Sequence, residues 1–349
     1  MRHISDCSIE STASKPAMRS GRHILVVGNG SIAGYLLGAL SSQSTRENLR
    51  VTALATERSA PELRLHGLRI EAKDFSLRCR PNILVNPNDV SDVDIIVIAA
   101  RAERTRSALC DLKTVITQGA IVVLVASGFP WWLPAANSVL NGIPIEAVDP
   151  DGILLSTTPI GNIVSGISDL ACDRPAPGVV RHYRGRTLTI GSAMPGSPVP
   201  AEVQQLLSSP WLDCVVDRDI RSKLWSKLIN TGSINPIRIL TGVSPNNIAS
   251  SGLGQSLSIS AMREIEKVGM ALGFGPFADP ERRLRYQRDA GREKTSLMHE
   301  IEYGLDLELD ATIAAIIEIG LRIGIPTPTL SNLREIARHK AMPFQHVTH

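Results

Sequence analysis

Residues His23–Leu40 read HILVVGNGSIAGYLLGAL, and this stretch decides the fold. HILVVG is a short β-rich apolar run, and the segment after it repeats apolar residues with helical spacing. A second apolar run, RVTALA (Arg50–Ala55), follows at the interval a crossover helix requires, so the opening is βαβ with a parallel sheet. Gly28 and Gly30 take the first two positions of G-x-G-x-x-G/A, and Ala33 takes the third. The first glycine permits a tight turn, the second lets backbone N–H groups approach a pyrophosphate, and the small third residue lets helix pack on strand. The helix N-terminus adds positive potential for a diphosphate. The turn Gly28, Asn29, Gly30, Ser31, Ile32 and Ala33 is therefore expected to bind a dinucleotide.

Two further apolar runs, DVDIIVIAA (Asp92–Ala100) and AIVVLVA (Ala120–Ala126), read as strands of a sheet covered on both faces. A helical segment, Glu103–Ile116, separates them, and the strand-like pieces GVVRHY and TLTIGS carry the pattern to about residue 193. From Asp217 the texture changes to apolar residues recurring at three and four, through DIRSKLWSKLINTGSINPIRIL, Leu253–Leu272 and EIEYGLDLELDATIAAIIEIGLRIG. The reading is an extension over 1–21, a Rossmann-type α/β domain over 22–216 and an all-helical domain over 217–349.

Of the 349 residues, 43% are apolar and 20% charged, enough for two cores and against global disorder. A net charge of +3 with no Lys/Arg block gives no footprint for nucleic acid. The five cysteines lack any metal-ligand spacing, which fits a reducing cytoplasm. The first 17 residues carry charges without an apolar core, unlike a signal peptide. AIVVLVA is followed at once by Ser127, Gly128 and Pro130, too short a run to span a bilayer.

Past the second strand, Ala55-Thr56-Glu57-Arg58 offers both signs of charge. A carboxylate there favours a ribose 2′-hydroxyl and an arginine a 2′-phosphate, so NAD and NADP both remain open on these residues. Lys227, Thr231 and Asn235 recur at i, i+4 and i+8 and share one helix face. A solvated stripe is the plain reading of such a face, but Pro236 follows it, and a proline kinks or ends a helix. Glu308 lies among Glu300, Glu302, Asp306 and Asp310, as on a charged exposed face.

From His23 to about Lys340 the chain resembles the ketopantoate reductase family. The resemblance rests on GNGSIAG, VTALATERSAPELRLHGLRI, SGFPWW, DPDGILL, APGVVRHYRG, LWSKLINTGSINP and KTSLMHEIEYGLDLELDA, in that order. It implies NADPH-dependent reduction of a small anionic 2-oxo acid, NADP rather than NAD as cofactor, and a homodimer as a possible assembly. By resemblance Lys227 is the general acid, Glu308 binds the substrate hydroxyl, Ser296 holds the carboxylate end and Asn235 keeps the asparagine of the N-P step. Cys172 falls where the family chain passes close to the cofactor.

Four positions depart from the family pattern. The asparagine before the glycine of SGFPWW is Ser127, and the one four residues after the lysine is Thr231. Asn230 is adjacent, but one residue turns a helix side chain by about 100°. The lysine after the Asp92–Ala100 strand is Arg101, and the arginine ending the second strand is Thr56, with Arg58 two residues on. The resemblance implies reduction of ketopantoate to pantoate in the pantothenate pathway, while the two shortened amides point to altered discrimination and a divergent 2-oxo acid substrate. The alternatives are a related hydroxy-acid or opine-like dehydrogenase, and a non-catalytic NADP-sensing protein. Trp131 and Trp132 read equally as a wall of the nicotinamide pocket and as an anchor for their loop.

Overall fold

The computed structural model describes residues 22–43, 48–289 and 309–341. The described strands are β1 (Arg22–Val27), β2 (Leu49–Leu54), β3 (Leu68–Glu71), β4 (Ser76–Cys79), β5 (Asn82–Leu84), β6 (Ile95–Ile98), β7 (Ile121–Leu124), β8 (Ile163–Ser168), β9 (Ala171–Ala176), β10 (Val179–Arg184), β11 (Thr187–Ser192) and β12 (Asp213–Val216). Eight of them form one sheet in the order β12-β11-β8-β7-β6-β1-β2-β5. From β8 to β5 every pairing is parallel, while β11 runs antiparallel to β8. Four form a smaller sheet, β4-β3-β10-β9. GVVRHY and TLTIGS therefore part company: the first supplies β10 of the small sheet, the second β11 of the large one.

Alternation along each central strand divides the interior in two. Ile24, Val26, Ile95 and Val97 join a core with the helix Ser31–Ser41 and the small sheet. Leu25, Val27, Ile96 and Ile98 point the other way, into a core that also holds Leu224, Trp225 and Leu228 of the helical half. The period of two in a strand makes this division, and burial on both faces explains why these runs are apolar throughout.

The helix Ile220–Thr241 is the spine of the second half. Asp219 caps it by accepting from the Ser222 N–H, and Gly242, at φ +70°, ends it. Pro236 neither ends the helix nor sits at its edge; it is buried, and the helix runs on to Thr241. The helix Gly252–Ala271 packs against this spine at Gly269, where an added Cβ would lie 2.1 Å from Trp225 Nε1. That indole donates to the Ile265 carbonyl at 3.0 Å, so shape and hydrogen bond set the same register. Among the described residues no helix is long and apolar enough to cross a membrane.

Polar ties cross between the halves at several points. The Glu318 carboxylate accepts from the Glu146 and Ala147 N–H groups at 2.9 and 3.0 Å. The Asn137 side-chain amide donates to the Leu272 carbonyl at 2.8 Å. Phe129 meets the Trp225 ring edge-on, 6.3 Å between centroids. Trp131 and Trp132 are both buried within this shared core, which makes them anchors of their loop.

Candidate active site

Strand order reverses at β1, with β2 on one side and β6 on the other. Ligands of open parallel sheets bind at such a point, outside the carboxyl ends of the strands. Gly28 leaves β1 there with φ +138°. A Cβ on it would lie 2.3 Å from the Ala99 carbonyl oxygen beyond β6 and 2.8 Å from Ala33 Cβ. The first glycine and the small third residue thus make room for each other. Gly30 differs: a Cβ there would meet nothing within 4 Å, so its missing side chain leaves open space. No side chain caps the helix Ser31–Ser41, and no acid stands in its first turn. The N–H groups at its start, with its positive dipole end, remain for an anion. This cradle fits the diphosphate of a dinucleotide.

A cleft of about 410 Å³ opens beside the cradle. Gly28, Asn29 and Gly30 line one wall, Thr56, Arg58 and Ser59 the turn after β2, and Arg174 with Pro177 to Val180 of the small sheet the far side. Thr56 and Ser59 lock the turn after β2, their hydroxyl oxygens 2.9 Å apart. Arg58 is exposed at the cleft, and among the described residues no ion pair joins it to Glu57. The residue of β9 that lines the cleft is Arg174, whose guanidinium donates to the Asn29 carbonyl. Cys172, two residues earlier, does not line it. That thiol packs beside the core shared by the helix Ser31–Ser41 and the small sheet, where burial, then the neighbouring Asp173, pushes its pKa up to about 12. Arg101 sits half-buried at the start of the helix Ala102–Asp111, at the carboxyl end of β6.

On the far side of the sheet's rim, Ser127 is exposed in the loop after β7. Gly128, at φ +88°, and Phe129 fasten this loop to the helical half: the Phe129 N–H donates to the Ala311 carbonyl at 2.6 Å. A Cβ on Gly128 would come within 2.7 Å of that oxygen. Ala311 lies in a short helical segment, Asp310–Ala314, that leads into the helix Ala315–Arg322, whose Ile316 approaches Gly232 of the spine helix.

The Lys227 face changes character along its length. Lys223 is exposed and pairs with Asp217 at 2.6 Å. Lys227, Thr231 and Asn235 are half-buried, and Arg238, next on that face, is only 3% exposed. A solvated stripe does not describe such a face, because it runs inward. The Thr231 hydroxyl donates back to the Lys227 carbonyl at 3.1 Å, so its proton is held by its own helix and its oxygen is left only to accept. Asn230 is held elsewhere, accepting from Arg283 at 3.2 Å. Arg283 also donates to the Ala278 and Ser226 carbonyls and the Ser226 hydroxyl, a buried clamp that periodicity does not reveal. Ser296 and Glu308 lie outside the described residues. Among the described residues no cluster of His, Cys, Asp or Glu could hold a metal.

Comparisons with known proteins bear on the whole chain. Residues 24–195 match the family Ketopantoate reductase PanE/ApbA, and residues 219–341 match Ketopantoate reductase PanE/ApbA C terminal. A 2-dehydropantoate 2-reductase of Mesorhizobium japonicum is 27% identical over 322 residues, 91% of this chain and 98% of the relative. A solved Ralstonia solanacearum structure, provisionally assigned as a ketopantoate reductase, superposes with TM-score 0.85 at 26% identity, covering 94% of this chain and 99% of that one. D-mandelate dehydrogenase with NADH and anilino(oxo)acetate shares the fold alone, with TM-score 0.75 at 17% identity over 93% of this chain and 99% of that one. With both halves matched in order, and a dinucleotide cradle joined to a helical half of the same architecture, the chain belongs to the ketopantoate reductase family of NAD(P)-dependent oxidoreductases acting on CH–OH groups.

Proposed function

We propose that the protein reduces a 2-oxo acid to the 2-hydroxy acid with NADPH, that Lys227 is its proton donor, and that its preferred substrate is not ketopantoate. The observation that carries this reading is the inward-running face of Lys227, Thr231 and Asn235. A lysine half-buried on such a face suits proton delivery better than solubility. Residues 22–216 hold the dinucleotide in this scheme, and residues 217–349 the substrate. The four described cysteines are free, which suits work in the cytoplasm.

Gly28, Asn29, Gly30 and the first-turn N–H groups of Ser31, Ile32 and Ala33 would hold the diphosphate, with Arg58 beside the adenosine ribose. When bound, the nicotinamide supplies the hydride. Lys227 then gives its proton to the former carbonyl oxygen, and its positive charge lowers the barrier as negative charge builds there. Preference for NADPH is supported by the cleft lining, whose charged members among the described residues are both arginines. Divergence from ketopantoate is supported by Thr231, whose hydroxyl bonds its own helix where an amide would reach outward.

The test is oxidation of NADPH, and in parallel NADH, with ketopantoate and a panel of branched and bulkier 2-oxo acids. The expected result is faster turnover with NADPH and a kcat/KM for another 2-oxo acid above that for ketopantoate. Ketopantoate as the best substrate would end the divergence claim, and no turnover of any 2-oxo acid would end the reading as a whole.

A further inference from the structure

The small sheet packs on the helix that follows the phosphate loop, and it also delivers a cation to the loop itself. Arg174 lies on β9, 145 residues from Asn29 in sequence, and its guanidinium donates to the carbonyl of that middle residue of the Gly28–Gly30 turn. A guanidinium carries five N–H donors in a planar fork, so one bond to a carbonyl leaves most of them for another acceptor. Arg174 and Arg58 line the same cleft from its two sides, and no Asp or Glu among the described residues shares that lining. Glu57, the one acid in the turn after β2, is absent from it. Two fork-shaped cations lining one cleft, with no carboxylate in that lining, are matched by a phosphate group.

We infer that Arg174 is a second phosphate-reading residue for the dinucleotide, working opposite Arg58, and that the small sheet serves as its mount. This rests on the dinucleotide reading above and deepens it. The phosphate is either the diphosphate, common to both cofactors, or the ribose 2′-phosphate, present in NADPH alone. Arg58 comes from the end of β2, where sequence patterns place cofactor selectivity. Arg174 comes from a separate sheet, so the two can be removed independently.

The experiment is titration of the full-length protein with NADPH and with NADH, and displacement by adenosine 2′,5′-bisphosphate, in the natural chain and in the Arg174→Ala and Arg174→Lys variants. Arg174→Ala is expected to weaken NADPH about tenfold or more, and Arg174→Lys to recover only part of the loss. Loss confined to NADPH and the bisphosphate assigns the 2′-phosphate; equal loss for NADPH and NADH assigns the diphosphate. Unaltered affinity for both cofactors, with thermal midpoints also unaltered, overturns the inference while leaving the dinucleotide reading intact. Absence of binding in the natural chain would instead strike that earlier reading. Full recovery by Arg174→Lys would show a point charge where a planar fork is claimed, and would equally overturn it.

Discussion

Gly28 and Lys227 stand on elements built by different rules. At Gly28 the backbone itself is the device: a positive φ and a 2.3 Å approach to the Ala99 carbonyl leave no room for another residue. At Lys227 the backbone is ordinary helix, and any residue with good helix propensity fits the same spiral. One end of the proposed site is thus enforced by sterics, and the other, if Lys227 serves as proposed, only by side-chain identity. Damage to the first should appear in folding and cofactor affinity, damage to the second in turnover alone.

The sharpest break of that contrast is Lys227→Ala. It is expected to lower kcat about a thousandfold, roughly 4 kcal/mol of barrier, as loss of a general acid does. Cofactor affinity and thermal midpoint should hold, read by NADPH titration and by melting. A cofactor affinity that fell in step with kcat would dissolve the distinction between the two ends.

The paired glycines sharpen it from the other side. Gly28→Ala should destabilise the fold by about 3 kcal/mol through backbone strain and the clash at Ala99, seen as a lower denaturant midpoint. Gly30→Ala should leave that midpoint in place, because its Cβ enters open space. The same Cβ should weaken NADPH about tenfold, by filling room the diphosphate needs. Equal stability losses at both positions would mean that the cradle is only a turn.

The smallest effect concerns substrate choice. Ser127→Asn with Thr231→Asn restores the two amides, and kcat/KM for ketopantoate should rise about fivefold, the worth of one neutral hydrogen bond. A fall in that ratio would show that the Thr231 back-bond to Lys227 holds the helix face in its working form.

Legibility followed the range of the interaction. The βαβ opening, the tight turn at Gly28 with the small residue Ala33, and the helical texture after Asp217 leave local patterns and were readable, although the Ala99 carbonyl that Gly28 meets was not. The shared face of Lys227, Thr231 and Asn235 followed from helix period alone. Its burial did not, because burial depends on which distant parts of the chain pack against the helix. Pro236 misled in the same way: proline weakens a helix locally, yet packing on both sides carries the helix past it. Cys172 was the nearest readable signal to the cleft on β9, yet Arg174, two residues on, is the one that lines it, because position along the strand relative to the Gly28–Gly30 turn is set by how the small sheet docks.

What the amino-acid order determined by itself is the parallel sheet, the dinucleotide cradle and the list of polar residues on one helix. Strand alternation, helix period and the φ demand at a tight turn are local and leave their mark on adjacent letters. Only the tertiary structure decided that Asn230 turns away to Arg283, that Ala311 holds the Gly128 loop, and that Arg174 meets Asn29 across the cleft. Each of those joins residues far apart along the chain, and such partners are chosen by the shape of the two cores rather than by anything written beside them.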